Sequence, residues 1–207
     1  KLFLIGFNQR RLFGADFIIC MPVNYRSDGK IKISEHKEVL MDNEAKKTAL
    51  RMIPYGLFIL TARSSDEKVS AGAVNWVTQS SFDPPQVVVC VRQDSFLHSV
   101  IREAGSFALN AVGKEGASMA VRFFKPAEVE GQTIGGYPFK IGSVGSPILS
   151  DAPAYIECEV VGSVSTGDHT VFIGELKEAF AELKEGERPD ESILMLADLE
   201  GDIFYGG

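Results

Sequence analysis

The chain has 207 residues, 45% hydrophobic and 24% charged, with a formal net charge of -7. Those values suit a globular chain of one domain, perhaps with an appendage, and an acidic balance speaks against a nucleic-acid or anionic-membrane surface. No run approaches the ~18 apolar residues of a membrane-crossing helix, and the three scattered cysteines, Cys20, Cys90 and Cys158, show neither zinc spacing nor a disulfide framework, so a reducing, cytoplasmic setting is expected.

Residues 1–40 differ from the rest. They carry seven Lys and Arg against four Asp and Glu, whereas 41–207 carry fourteen against twenty-four. They show no sustained period and are expected to be a disordered leader or no part of the native domain. Arg10-Arg11-Leu12-Phe13 faintly resembles a twin-arginine signal, but the apolar stretch behind it is short and holds Asp16.

The domain is expected over 41–207. A short helix follows Met41, with Asp42 or Asn43 as N-cap and acidic residues in its first turn. Tyr55 to Ala62 reads as an apolar strand and Arg63 to Lys68 as a charged turn. Val74 to Ser80 reads as a polar strand that carries the chain's single tryptophan. Asp83-Pro84-Pro85 stops it, because proline lacks the N–H a ladder needs. Gln86 to Val91 is apolar enough for a strand buried on both faces. Asp94-Ser95 supplies cap chemistry for a helix over Ser95 to Ala104, in which Leu97, Val100, Ile101 and Ala104 share a face and Gly105 stands at the end.

Ser106 to Val112 is expected to be a strand. A helix over Glu115 to Phe124 would put Met119, Ala120, Phe123 and Phe124 on one side. Lys125 to Ser150, with three prolines and many glycines, reads as a long loop of the kind that covers a site or joins an interface. Ala154 to Val164, the turn Thr166-Gly167-Asp168 and His169 to Phe180 form a hairpin. Ile193 to Leu196 and Ile203 to Tyr205 are expected as short closing strands. Many antiparallel strands with two or three short helices predict a mainly β, α+β barrel.

The sequence contains no G-x-G-x-x-G or G-x-x-x-x-G-K-[ST] at a strand–helix junction, no H-E-x-x-H and no G-x-S-x-G. Rossmann, P-loop, metal and serine-hydrolase chemistry therefore have no footing, and no metal ligands are assigned. A different phosphate site does have one. Ser95 opens a helix whose free N–H groups attract anions, and Arg92 stands three residues before it. Equally, the pair fits a surface arginine and an ordinary cap. His169 follows a Gly-Asp turn, where a histidine is commonly only solvated.

VNWVTQSSFDPP, the capped Asp94-Ser95, the FALN strand, Gly167-Asp168-His169 followed by Gly174, and the closing FYGG together resemble the flavin reductase-like family of FMN-binding split β-barrels. The resemblance spans about 45 to 207. It implies flavin contacts from Asn75, Trp76, Val77, Thr78 and Gln79, a phosphate held by Arg92 and Ser95, and nicotinamide binding by His169. It further implies a homodimer with one FMN per subunit, NAD(P)H as hydride donor, and free flavin, a ferric complex or a partner monooxygenase as acceptor. Many reductases of the family carry small Ser or Thr where this chain has Asn75 and Trp76. A bulky Trp76 near the ring favours the alternative of a flavin carrier or electron-transfer protein without productive nicotinamide binding.

Overall fold

The computed structural model describes residues 41–201 and 203–205; the expected leader, 1–40, lies outside them, as do Asp202 and the closing Gly206-Gly207. Helix α1 (Asn43–Arg51) starts where the sequence offers a cap. The Asp42 carboxylate accepts the Glu44 and Ala45 amides, and Arg51 sits in the last turn, where the helix dipole favours a cation.

Strands β1 (Phe58–Arg63) and β2 (Val69–Val74) form a hairpin across the charged turn. Strands β3 (Val77–Phe82) and β4 (Pro85–Arg92) pair across the Asp83-Pro84 corner. Helix α2 (Phe96–Ala104) follows, then β5 (Ser106–Ala111) and α3 (Ala117–Arg122). Four short strands, β6 (Val129–Glu130), β7 (Thr133–Ile134), β8 (Tyr137–Ile141) and β9 (Pro147–Leu149), make a second sheet of their own. The long hairpin β10 (Ala154–Ser165) and β11 (His169–Ala181) and the single turn α4 (Pro189–Ser192) complete the elements.

The main sheet has seven antiparallel strands in the order β2-β1-β5-β10-β11-β4-β3. Its two edge strands, β2 and β3, are joined in the chain by Asn75 and Trp76 alone. At most ~3.6 Å per residue, so short a link forces the sheet to curl until its edges meet at that corner. Strands β2 and β4 touch accordingly, and α2 packs on β1, β2, β4 and β5. No ladder joins β2 to β3, so the barrel stays split.

The curl and α2 enclose one core, with Leu60, Val89, Val100, Ile101, Phe107, Leu109 and Phe172. A second, with Leu57, Ile59, Met119, Ala120, Phe123, Ile134, Leu149 and Leu194, lies between the main sheet, α3 and the small sheet. Each large side chain buried this way contributes about 1.5–3 kcal/mol.

Several expectations need correction. The segment 125–150 is not a loop but carries the small sheet, whose strands of two to five residues are too short to show a period. Helix α3 is six residues long, and it leaves Phe124 beyond its end and 43% exposed. Strand β4 alternates, with Val87, Val89 and Val91 buried and Val88 and Cys90 only half-buried, so it is not covered on both faces. Ile193 to Leu196 forms isolated bridges and part of a 3-10 turn, and Ile203 to Tyr205 is irregular chain rather than a strand. The polar strand starts at Val77, because Asn75 and Trp76 serve as the corner, and β2 precedes it. Among the described residues no helix is long and apolar enough to cross a membrane.

Candidate functional site

A cavity of about 480 Å³ opens at the corner where the sheet edges meet. One wall is β2 itself, which runs through Ser70, Ala71, Gly72 and Ala73. Such small side chains leave room for a ligand to approach the backbone closely. Opposite stand the end of β4, from Cys90 to Arg92, and the start of α2, from Ser95 to Leu97. The segment Phe123 to Ala127 lines a third side, tied to the β2 edge because the Ala73 amide donates to the Phe123 carbonyl at 3.0 Å. Leu57, Leu196 and Ile203 to Tyr205 complete the lining.

Three predicted residues reach this cavity: Asn75, Arg92 and Ser95. Asn75 is 6% exposed, and its Nδ2 has no hydrogen-bond partner among the described residues. Next to it, the Trp76 Nε1 is also buried and unpartnered. Two adjacent buried donors without acceptors cost folding free energy, about 1–3 kcal/mol each, and mark a place where something else completes them. The Trp76 carbonyl accepts the Cys90 amide at 3.1 Å, which fixes this corner against β4.

Val77, Thr78 and Gln79 lie on β3 outside the cavity lining, with Thr78 and Gln79 exposed. Gln79 Nε2 donates to the Ser81 carbonyl of its own strand at 3.1 Å.

Ser95 is the N-cap of α2, and its Oγ accepts the His98 amide at 3.2 Å and donates to the Arg92 carbonyl at 2.8 Å. The first amides of α2 have no intrahelical acceptor, and Ser95, Phe96 and Leu97 line the cavity. Arg92 holds Asp94 through two bonds, Nε to Oδ1 at 3.0 Å and Nη2 to Oδ2 at 2.5 Å. That pairing holds the Asp94 carboxyl below the usual carboxylate range. His98 ties α2 to β11, with Nε2 at 2.8 Å from Thr170 Oγ1. Burial lowers its pKa, favouring the neutral ring.

His169 lies directly across from Arg92 in the β4–β11 register. It does not project from the rim as a turn histidine should. Its side chain is 12% exposed and its ring centroid lies 4.7 Å from that of Trp76. Nδ1 is 2.8 Å from Asp168 Oδ1, and Nε2 is 2.9 Å from the Tyr205 hydroxyl. His169 and Trp76 stand beside the cavity rather than in its lining, with Tyr205 between.

A curled antiparallel sheet with its cavity at the split between edge strands now has a counterpart in known sequences. The model of the flavin reductase like domain matches residues 50–199. The chain belongs to the flavin reductase like family. It is 31% identical over 147 residues to diflavin flavoprotein A 1 of Synechocystis, which covers 70% of this chain and 25% of that one. It is 33% identical over 133 residues to the ferric-chelate reductase (NAD(P)H) of Archaeoglobus fulgidus, covering 63% of this chain and 78% of that one. Among solved structures, the flavin reductase of styrene monooxygenase from Pseudomonas putida S12 superposes with a TM-score of 0.57 at 28% identity, over 68% of this chain and 87% of that one. The chain thus spans a quarter of the length of the Synechocystis relative but most of the Archaeoglobus one.

Sequence reasoning picked out Asn75, Arg92 and Ser95, and its site-covering segment from Lys125 includes three lining residues, but it missed β2, Phe123 and Tyr205. The run of small residues at Ser70–Ala73 was the available signal for the first. Phe123 and Tyr205 reach the cavity through tertiary packing.

Proposed function

We propose that this domain binds FMN in the cavity and catalyses its reduction by NAD(P)H. The reading rests most on the paired buried donors of Asn75 and Trp76, which match a flat heteroaromatic ring rich in carbonyl and ring-nitrogen acceptors. The cavity volume lies within the ~300–1,000 Å³ typical of cofactor sites. Bound flavin supplies the hydride chemistry, while the protein supplies binding, orientation and exclusion of water.

Asn75 and Trp76 would hold the ring through their side-chain N–H groups. Val77, Thr78 and Gln79 lie beyond that corner on β3, with Thr78 and Gln79 exposed, and carry no ring contact in this reading. Arg92, released from Asp94, would hold the phosphate together with the first amides of α2, while the Ser95 hydroxyl keeps that helix start in place. His169 meets the hydride donor beside the ring. No further nucleotide-recognition motif follows the single phosphate cradle, which supports FMN over FAD.

The acceptor is proposed as free flavin, a ferric complex or a partner oxygenase, in keeping with the names of the Archaeoglobus and Pseudomonas proteins. A homodimer is proposed through the outer face of β1, β5, β10 and β11. An apolar groove of about 270 Å³ runs there past Phe58, Tyr155 and Phe180. Among the described residues Cys90 and Cys158 are free, in accord with a reducing, cytoplasmic compartment.

The deciding experiment extracts the cofactor from purified protein and then adds NADH or NADPH anaerobically. FMN in the extract and bleaching of flavin absorbance by one nucleotide are expected. FAD in the extract would overturn the choice of cofactor. Bleaching by dithionite but by neither nucleotide would leave a flavin carrier on the same fold.

A further inference from the structure

Tyr205 is joined to both residues that flank the proposed hydride-donor position. Its ring centroid lies 5.5 Å from that of Trp76, and its hydroxyl lies 2.9 Å from His169 Nε2. The direction of that second bond follows from what the other ring nitrogen of His169 touches. Asp168 is held below the ordinary carboxylate range by His169, so it is ionised and can only accept. The tautomer whose Nδ1 donates to Asp168 presents Nε2 as an acceptor. In that tautomer the Tyr205 hydroxyl is the donor, and burial raises its pKa.

An aromatic six-membered ring against Trp76, donating a hydrogen bond to His169 Nε2, is also what a nicotinamide with its carboxamide N–H would present. Tyr205 is nonetheless 44% exposed. It belongs to irregular chain whose Ile203 packs against the second core and whose Phe204 lies 3.9 Å beneath the Arg51 guanidinium. The segment is thus anchored upstream, and nothing in a strand or helix holds Tyr205 down.

We propose that Tyr205 is an internal competitor of the nicotinamide ring: its phenol occupies the place on His169 and Trp76 that the nucleotide takes, and it must swing out for the hydride donor to bind. The inference rests on the NAD(P)H reading above. Tyr205 also lines the flavin cavity, so its effect on the nucleotide is read at saturating flavin.

The test uses the flavin-loaded protein and the oxidised nucleotides NAD⁺ and NADP⁺, which bind without turnover. Trp76 is the chain's single tryptophan, so its emission reports on this corner alone. Nucleotide is expected to change that emission in the wild type. In Tyr205→Phe, which keeps the ring and loses the hydrogen bond, the same change should occur at about three- to tenfold lower concentration. At saturating flavin, KM for the reduced nucleotide should fall by a similar factor. Tyr205→Ala, which also removes the ring, should tighten binding at least as much and gives a second measurement should the phenylalanine variant fold poorly. Equal or weaker nucleotide binding by the variants, against a wild type that binds, would overturn the proposal and leave the reductase reading intact. A wild type that holds flavin but binds neither nucleotide would sink both.

Discussion

At the residue scale, Arg92 is in a different state from the one its sequence position suggests. It is occupied by Asp94, and both side chains are more than half exposed. Exposed pairs of this kind contribute little to stability, so a phosphate can displace the carboxylate. Because the folded pKa of Asp94 is depressed, the pairing holds above the ordinary carboxylate range and is lost only as pH falls through the lowered value. Acid therefore does not free Arg92 near neutral pH, and the ligand must compete. Arg92→Ala is expected to weaken FMN binding by about 1.5–3 kcal/mol, the range for hydrogen bonds to charged groups. Asp94→Asn, which leaves Arg92 unclaimed, should tighten it. Titration of flavin fluorescence checks both, and unchanged affinity in Arg92→Ala would return the residue to the surface.

At the element scale, the glycine of the G-D-H-x-x-x-x-G motif has a packing role. Gly174 lies on β11 over the main core, and a Cβ there would run into the Phe107 ring and come within 2.8 Å of the Cys158 Cβ. Both neighbours are fully buried and cannot move aside. Gly174→Ala is expected to cost about 1–3 kcal/mol, as overpacking does. At ~2–4 °C per kcal/mol for a domain of this size, the melting temperature should fall by several degrees. A variant that melts with the wild type would mean that the strand bows away from Phe107. His169, five residues earlier, is a separate matter. His169→Ala should slow reduction by NAD(P)H about five- to thirtyfold in kcat/KM while leaving reduction by dithionite untouched.

At the scale of the whole molecule, two expectations concern what lies outside one domain. Phe180 is 46% exposed and stacks on Tyr155 with ring centroids 5.6 Å apart. If that face joins two copies, Phe180→Asp should convert a dimer to a monomer in sedimentation velocity. A wild type that already sediments as a monomer would remove the dimer. The family match begins at residue 50, and α1 starts on its own cap at Asp42. A chain beginning at Met41 should therefore keep FMN binding and nearly the same melting temperature. A drop of more than ~5 °C would show that 1–40 contributes to the fold.

The sequence by itself determined the elements that carry their own signals. The Asp42 and Ser95 caps, the apolar face of α2 ending at Gly105, and the Thr166-Gly167-Asp168 turn between β10 and β11 are all local chemistry, and all stand as read. The short strands of the small sheet gave no such signal, because two or three residues cannot show a period. Most of the cavity was likewise illegible. Its walls are joined only when a two-residue corner draws the sheet edges together, and Phe123–Ala127 and Tyr205 reach it from far along the chain. Local propensity places Arg92 and Ser95 next to each other. Only the curl of the sheet decides that Asn75 faces them across a cavity, and only the packing of Tyr205 decides that His169 is tied at both nitrogens rather than free at the rim.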